Sequence, residues 1–245
     1  MQEVEALTAR YLAALEEARL SGSSAVLSKF DDSVKGAAAV INVELLFLFH
    51  LLSSEKELYS TYQLGVRGQI RKPAPDHDDR HRAGVEGVLF GTYGENIRYA
   101  ALSLDGAGLT SYGRYSVKLR DIAVADRASL LEENSYSFVT QYGIVAGQPI
   151  PRGHRATWPD RHKLAVAKLA KRITAATTET AFPRILLLSD GKKAEDDFIE
   201  VHIYGPLDAN TIESVRGKAK IRKNRALAAS AKEYALKGGK VWIEA

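Results

Sequence analysis

The sequence predicts an α+β fold, a mostly antiparallel sheet carrying the functional cleft with a helical layer in front of it. Three observations predict it. Residues 1–58 carry helical periodicity; from Tyr59 onward the chain breaks into short pieces rich in Tyr, Val, Leu and Gly; and 245 residues, 45% of them hydrophobic and 26% charged, suffice for a substantial core.

Val4, Leu7, Tyr11, Ala14 and Ala18 recur at spacings of three and four among Glu and Arg, the stripe of an amphipathic helix that ends near Ser21, Gly22 and Ser23. After a short polar stretch, residues 37–52 are apolar almost all round, which predicts a helix covered on most sides. Four pieces then have strand length and composition: 62–69, 87–94, 97–104 and 113–120. Between the first two, residues 72–82 are wholly polar after two prolines and form an exposed loop. Asp160 is a good N-cap for a helix through Lys163, Leu164, Val166, Leu169 and Ile173. Strands are expected at 184–188 and 198–204, then a basic helical segment and a last strand at 240–244. The chain divides on this reading into a helical layer (1–58), an α+β core (59–207) and a basic extension (208–245).

Composition narrows the chemistry. The absence of cysteine excludes disulfides, thiolate metal sites and cysteine nucleophiles together. No basic-then-apolar leader opens the sequence and no apolar run approaches the roughly 20 residues of a membrane span, so the expected location is cytoplasmic, or inside a target cell reached without a signal peptide. Charge is local: residues 208–245 hold nine Lys or Arg against four acids, and residues 152–172 hold seven against Asp160 alone. Both clusters favour an anionic partner, a phosphate-bearing cofactor or a nucleic acid.

The most informative stretch is residues 196–207, DDFIEVHIYGPL. Strand alternation puts Phe198, Glu200, His202 and Tyr204 on one face and Ile199, Val201 and Ile203 on the other. A carboxylate held beside rings and a histidine can accept a sugar hydroxyl or stabilise positive charge growing on a ribose. His77, Asp79 and His81 suggest a metal, but the prolines at 73 and 75 and the arginines at 80 and 82 oppose a bound cation, so no metal is expected. Arg67, set between glycines at an expected strand end, could meet a phosphate bidentately. No Walker loop, dinucleotide fingerprint or nucleophile elbow is present.

Taken in order, the pieces VEGVLFGTY (85–93), RYAALSL (98–104), SYGRYSVKL (111–119) and FIEVHIYGPL (198–207) resemble an uncharacterised bacterial family. In that family a Glu-containing Phe-Gly element precedes a Tyr-Gly-Ala-Leu strand, a Phe-Gly-Ser strand and a Val-Glu-Ala-His-Val-His-Gly-Pro strand. The last element also looks like the third motif of ADP-ribosyltransferases, whose fold has a split, mostly antiparallel sheet. That resemblance spans residues 60–216 at most. It implies Glu200 as the catalytic glutamate acting on NAD as substrate, Arg67 on the NAD phosphate, and Ser111 or Ser116 as the second-motif serine. Tyr99 or Tyr204 would stack on nicotinamide, and Glu86 and His202 would be auxiliary, His202 standing where arginine-modifying members carry a second glutamate.

The expected activity is transfer of ADP-ribose from NAD to a macromolecular acceptor, nucleic acid or protein, with NAD hydrolysis as a side activity. A toxin or effector role with a neutralising partner protein fits it, and no membrane partner is expected. Three alternatives stand beside this reading: a non-catalytic nucleic-acid-binding protein using Arg216, Lys218, Lys220, Arg222, Lys223 and Arg225; a metal-dependent phosphoesterase on His77, Asp79 and His81; and a structural interaction protein.

Overall fold

The computed structural model describes residues 2–54, 59–68, 84–193, 195–219 and 224–245. His77, Asp79, His81, Lys220, Arg222 and Lys223, and with them the metal-loop reading, lie outside the described residues.

Eight strands among the described residues form one sheet: β1 (Ala38–Val43), β2 (Ile97–Ser103), β3 (Tyr115–Leu119), β4 (Ala128–Leu131), β5 (Arg155–Thr157), β6 (Glu200–Tyr204), β7 (Ile212–Arg216) and β8 (Val241–Ile243). Their order is β5-β4-β6-β2-β1-β3-β7-β8, antiparallel throughout except for the β7–β8 pair. The class is therefore mixed α and β with a mostly antiparallel sheet, as expected, but the ladder runs unbroken from β5 to β8 rather than splitting in two.

The helices are α1 (Gln2–Leu20), α2 (Ser24–Lys35), α3 (Leu45–Ser53), α4 (Tyr62–Arg67), α5 (84–90), α6 (Asp121–Val124), α7 (Ser135–Gln141), α8 (Arg161–Leu169), α9 (Phe182–Leu186) and α10 (Arg225–Lys237). The main core joins Leu7 of α1, Phe30 of α2, Leu48 of α3, Leu164 of α8, Phe182 of α9 and Ala231 of α10 to Leu130, Val201, Ala100, Ile41, Val117 and Val215 of the sheet. One sheet face is thus aliphatic and helix-covered. Phe30 meets Phe182 edge-on at 5.3 Å inside it.

Several elements differ from the sequence reading, each for a physical reason. The apolar stretch expected as one helix is β1 followed by α3, because β1 is a central strand buried on both faces and reads as a continuous apolar run. The polar stretch before it forms α2, whose buried Leu27, Phe30 and Val34 are a helical stripe of only three residues. The piece at 62–69 forms α4, capped where the Thr61 hydroxyl accepts Leu64 N–H at 3.3 Å. The piece at 87–94 becomes the end of α5 and a 3-10 segment, Gly91–Asn96. The expected strand at 184–188 is α9, with Leu188 alone bridging Asp197. β1 and β7, from the segments read as helical layer and basic extension, flank β3 in the middle of the sheet.

Gly113 shows how tightly the loop before β3 lies on β1. A Cβ there would stand 2.4–2.6 Å from backbone atoms of Val43, and the Gly113 carbonyl accepts the Asn42 amide at 3.1 Å. Gly113→Ala therefore forces two backbone segments apart. It should cost about 1–3 kcal/mol by the usual penalty for overpacking, read as a lower urea midpoint at unchanged m-value; an unaltered midpoint would show that the loop yields freely.

Candidate functional site

Across a ladder, directly opposed residues share a face. Glu200 faces Ala101 and Leu131, and His202 faces Tyr99 and Ser129, so these side chains lie on the side of the sheet away from the main core. Ile199, Val201 and Ile203 point into that core, which is the alternation expected for the strand. Two small apolar clusters bracket Glu200 on its own face. Phe198, Ala101 and Leu109 lie at one end, and Leu131, Phe138 and Ile144, with Val88 and Leu89 of α5, at the other.

α7 delivers the partners of Glu200. Asn134 caps the helix through Oδ1, which accepts the N–H of Tyr136 at 3.0 Å and of Ser137 at 3.3 Å. That cap fixes the amide orientation, so Nδ2 is turned to Glu200 Oε1 at 3.4 Å. The next residue gives two donors to Glu200 Oε2, its backbone N–H at 2.8 Å and its hydroxyl. His202 Nε2 lies 2.9 Å from the same oxygen and 3.0 Å from Ser135 Oγ. The Ser135 proton goes to the carboxylate, so the hydrogen on Nε2 is shared between the carboxylate and the hydroxyl oxygen. A hydrolase relay needs serine and carboxylate on opposite ring nitrogens, with the imidazole accepting. Here both meet one donating nitrogen, and Ser135 is not an activated nucleophile.

Rings enclose the imidazole. Phe90 meets it edge-on at 4.8 Å and Tyr99 at 5.4 Å, and Tyr99 donates its hydroxyl to Glu86 Oε1 at 3.3 Å. Glu200 is only 5% exposed, so an oxygen acceptor in the network works in surroundings far less polar than water. Oε2 carries three contacts and Oε1 only the long one to Asn134, which leaves Oε1 as the oxygen with spare acceptor capacity.

The structure thus gathers four expected residues, Glu200, His202, Tyr99 and Glu86, into one network. Four others stand apart. Arg67 is not at a strand end but in the last turn of α4, its side chain 65% exposed and paired with Glu95 at 2.8 Å. Tyr204 is at the far end of β6, 48% exposed, against Tyr93 at 5.8 Å. Ser111 donates to Asp196 at 2.5 Å in a loop contact. Ser116 is on β3, separated from β6 by β1 and β2, and accepts from Asn42 at 3.2 Å and from Gly108 N at 3.3 Å. Asn134 and Ser135, which the sequence reading missed, carry a recognisable helix start but nothing that links them to Glu200, 65 residues on.

Part of the basic run at 152–172 is paired within the fold. Lys163 pairs with Asp160 at 2.8 Å, Lys168 with Asp197 at 2.5 Å, and Arg172 with Asp197. Among the described residues no trio of His, Asp or Glu is placed to hold a metal, and no helix is long and apolar enough to cross a membrane. No protein-family model matches the chain, and no curated protein matches it.

Proposed function

We propose that the chain is an ADP-ribosyltransferase acting on NAD, with Glu200 as the catalytic carboxylate and a macromolecule as acceptor, NAD hydrolysis following when no acceptor is present. The observation that carries the proposal is the kind of partner Glu200 has. Two other inward-lying acids are held by fixed cations: Glu132 by Arg10 at 2.7 Å, and Asp197 by Lys168 and Arg172. Glu200 instead meets an N–H, a hydroxyl, an amide and an imidazole, with no Lys or Arg among the described residues in an ion pair with it. Breaking the nicotinamide bond builds positive charge on the ribose, and an anion not already cancelled by a cation stabilises that charge more than the ground state. Oε1 is the oxygen suited to a ribose hydroxyl, while Tyr99 offers a ring to nicotinamide. Because Glu200 is 5% exposed, NAD reaches it only when the first turn of α7 lifts from β6. That makes substrate entry a conformational step.

A second reading is favoured by the Ser135 N–H bond to Oε2: the network is a polar staple fastening α7 to β6, and the chain works without catalysis. Nicotinamide release decides between the two. Incubating the protein with NAD and an acceptor extract should liberate nicotinamide from wild type and not from Glu200→Gln. A wild-type preparation that liberates none, with or without the extract, refutes the transferase.

A further inference from the structure

We infer that Arg98 and Arg127 form a second site, a receptor for a phosphate oxyanion at the strand end shared by β2, β4 and β6. It goes beyond the Glu200 reading and does not depend on it.

Arg98 opposes Ile203, and Ile203 opposes Ala128, so Arg98 points to the helix-covered side of the sheet while Tyr99 points to the Glu200 side. Arg98 is 6% exposed. Its Nε donates to Tyr59 O at 3.3 Å and its Nη1 to Asn96 O at 2.8 Å. Arg127, beside Ala128, donates from Nε to Ala123 O at 2.7 Å and from Nη1 to Tyr204 O at 3.2 Å and Pro206 O at 2.7 Å. Five neutral carbonyls therefore surround two permanent charges. Each guanidinium keeps an Nη2 with no hydrogen-bond acceptor among the described residues, and neither Nη2 is sealed from solvent.

Among the described residues Arg98 is the arginine that is buried, and Arg127 lies close enough for its charge to act on it. Arg10, Arg67, Arg172 and Arg184 each have a carboxylate within 4.0 Å; Arg98 and Arg127 have none among the described residues. Asp208 is the acid whose charge reaches Arg127, but its Oδ1 is occupied by the N–H groups of Asn210 and Thr211, at 2.9 and 3.1 Å. Burial first, and then the charge of Arg127, hold the Arg98 guanidinium below the ordinary arginine value, with the Tyr59 hydroxyl acting the other way. It remains a cation at neutral pH. A buried charge without a counter-charge is costly. A phosphate oxyanion bridging the two Nη2 groups supplies that charge through the geometry guanidinium suits best.

Free phosphate, pyrophosphate and the diphosphate of a nucleotide share this chemistry. Tyr204 and Tyr93 form an exposed ring pair at the same strand end but on the Glu200 side of the sheet, a stacking surface that a nucleobase reaches only round the strand end. The test is thermal unfolding of the full chain with millimolar pyrophosphate or ADP against sodium chloride of equal ionic strength. Wild type should gain several degrees with pyrophosphate beyond the salt control. Arg127→Gln should lose that gain, and Arg98→Lys, which keeps the charge but not the fork, should bind at least tenfold more weakly. Equal gains with pyrophosphate and ADP assign the site to phosphate alone, and a larger gain with ADP assigns it to a nucleotide. No gain over salt in wild type, or a full gain in folded Arg127→Gln, overturns the inference. Glu200→Gln should bind pyrophosphate as wild type does, so failure of the catalytic reading leaves this result standing; loss of binding in that variant would show the site is not separate.

Discussion

Glu200→Gln should lower the rate of nicotinamide release from NAD by 10²–10³-fold, about 2.7–4 kcal/mol of transition-state stabilisation, the range found when one preorganised electrostatic group is removed from an active site. The substitution is nearly isosteric. The new amide oxygen can take the place of Oε2 and keep the bonds from Ser135 and His202, while its NH₂ takes the place of Oε1 and gives up only the long contact with the Asn134 amide. What disappears is the negative charge. The loss should therefore fall on kcat and leave KM nearly unchanged, because the charge acts on the oxocarbenium-like state and only weakly on neutral ribose. Ser135→Ala supplies the contrast: it removes one of three donors to Oε2 and retains the carboxylate, so release should fall less than tenfold. Wild-type release in Glu200→Gln, with the circular dichroism spectrum intact, would leave the staple as the explanation of the network.

The strand that carries this prediction was legible in the sequence because alternation is strict over 198–204 and one face is purely aliphatic. The same rule fails for β1. Val40, Asn42 and Ala38 occupy the far face there, but two of the three are apolar, so period two is lost and the run imitates a buried helix. Chain order also misled at α5 and α9, where glycine-flanked or β-branched pieces of strand composition are helical because they cover a sheet rather than extend it. His202 was legible as a neighbour of Glu200, but the partners from α7 were not. Ser135 is brought to it by the antiparallel pairing of β4 with β6, a contact set by tertiary packing between segments 65 residues apart. Arg98 was passed over for a related reason: within a strand it looks like an outward-facing arginine, and only the register shows that it points to the covered side.

Asp197→Asn should be the most destabilising of the polar substitutions, costing about 3–5 kcal/mol, because it leaves the counter-ion of a buried cation neutral. The side chain of Lys168 is 8% exposed and has two acceptors, Asp197 Oδ1 at 2.5 Å and Phe198 O at 3.0 Å. Removing the charge of Asp197 strands that ammonium between α8 and the entry to β6. Arg172, half exposed, can turn to water and adds little to the loss. The same pair governs acid stability. Burial alone would raise the Asp197 carboxyl, but the hydrogen bond and charge of Lys168, then those of Arg172, outweigh it and hold it below the ordinary aspartate value. Glu132 behaves alike, with burial opposing and His154 and Arg10 prevailing. A carboxyl depressed in the folded state binds its proton more readily when unfolded, so both contribute stability that is complete above the unfolded values, roughly pH 4, and is lost as pH falls through the folded ones. Wild type should therefore hold a constant urea midpoint from pH 7 to about 5 and weaken steeply below 4. Asp197→Asn should start lower and show a shallower acid limb, since one of the two titrations is gone. A variant whose acid limb runs parallel to wild type would mean that Lys168 and Asp197 are not coupled in solution, and that α8 is held in place by its buried apolar residues Leu164, Ala165, Val166 and Leu169.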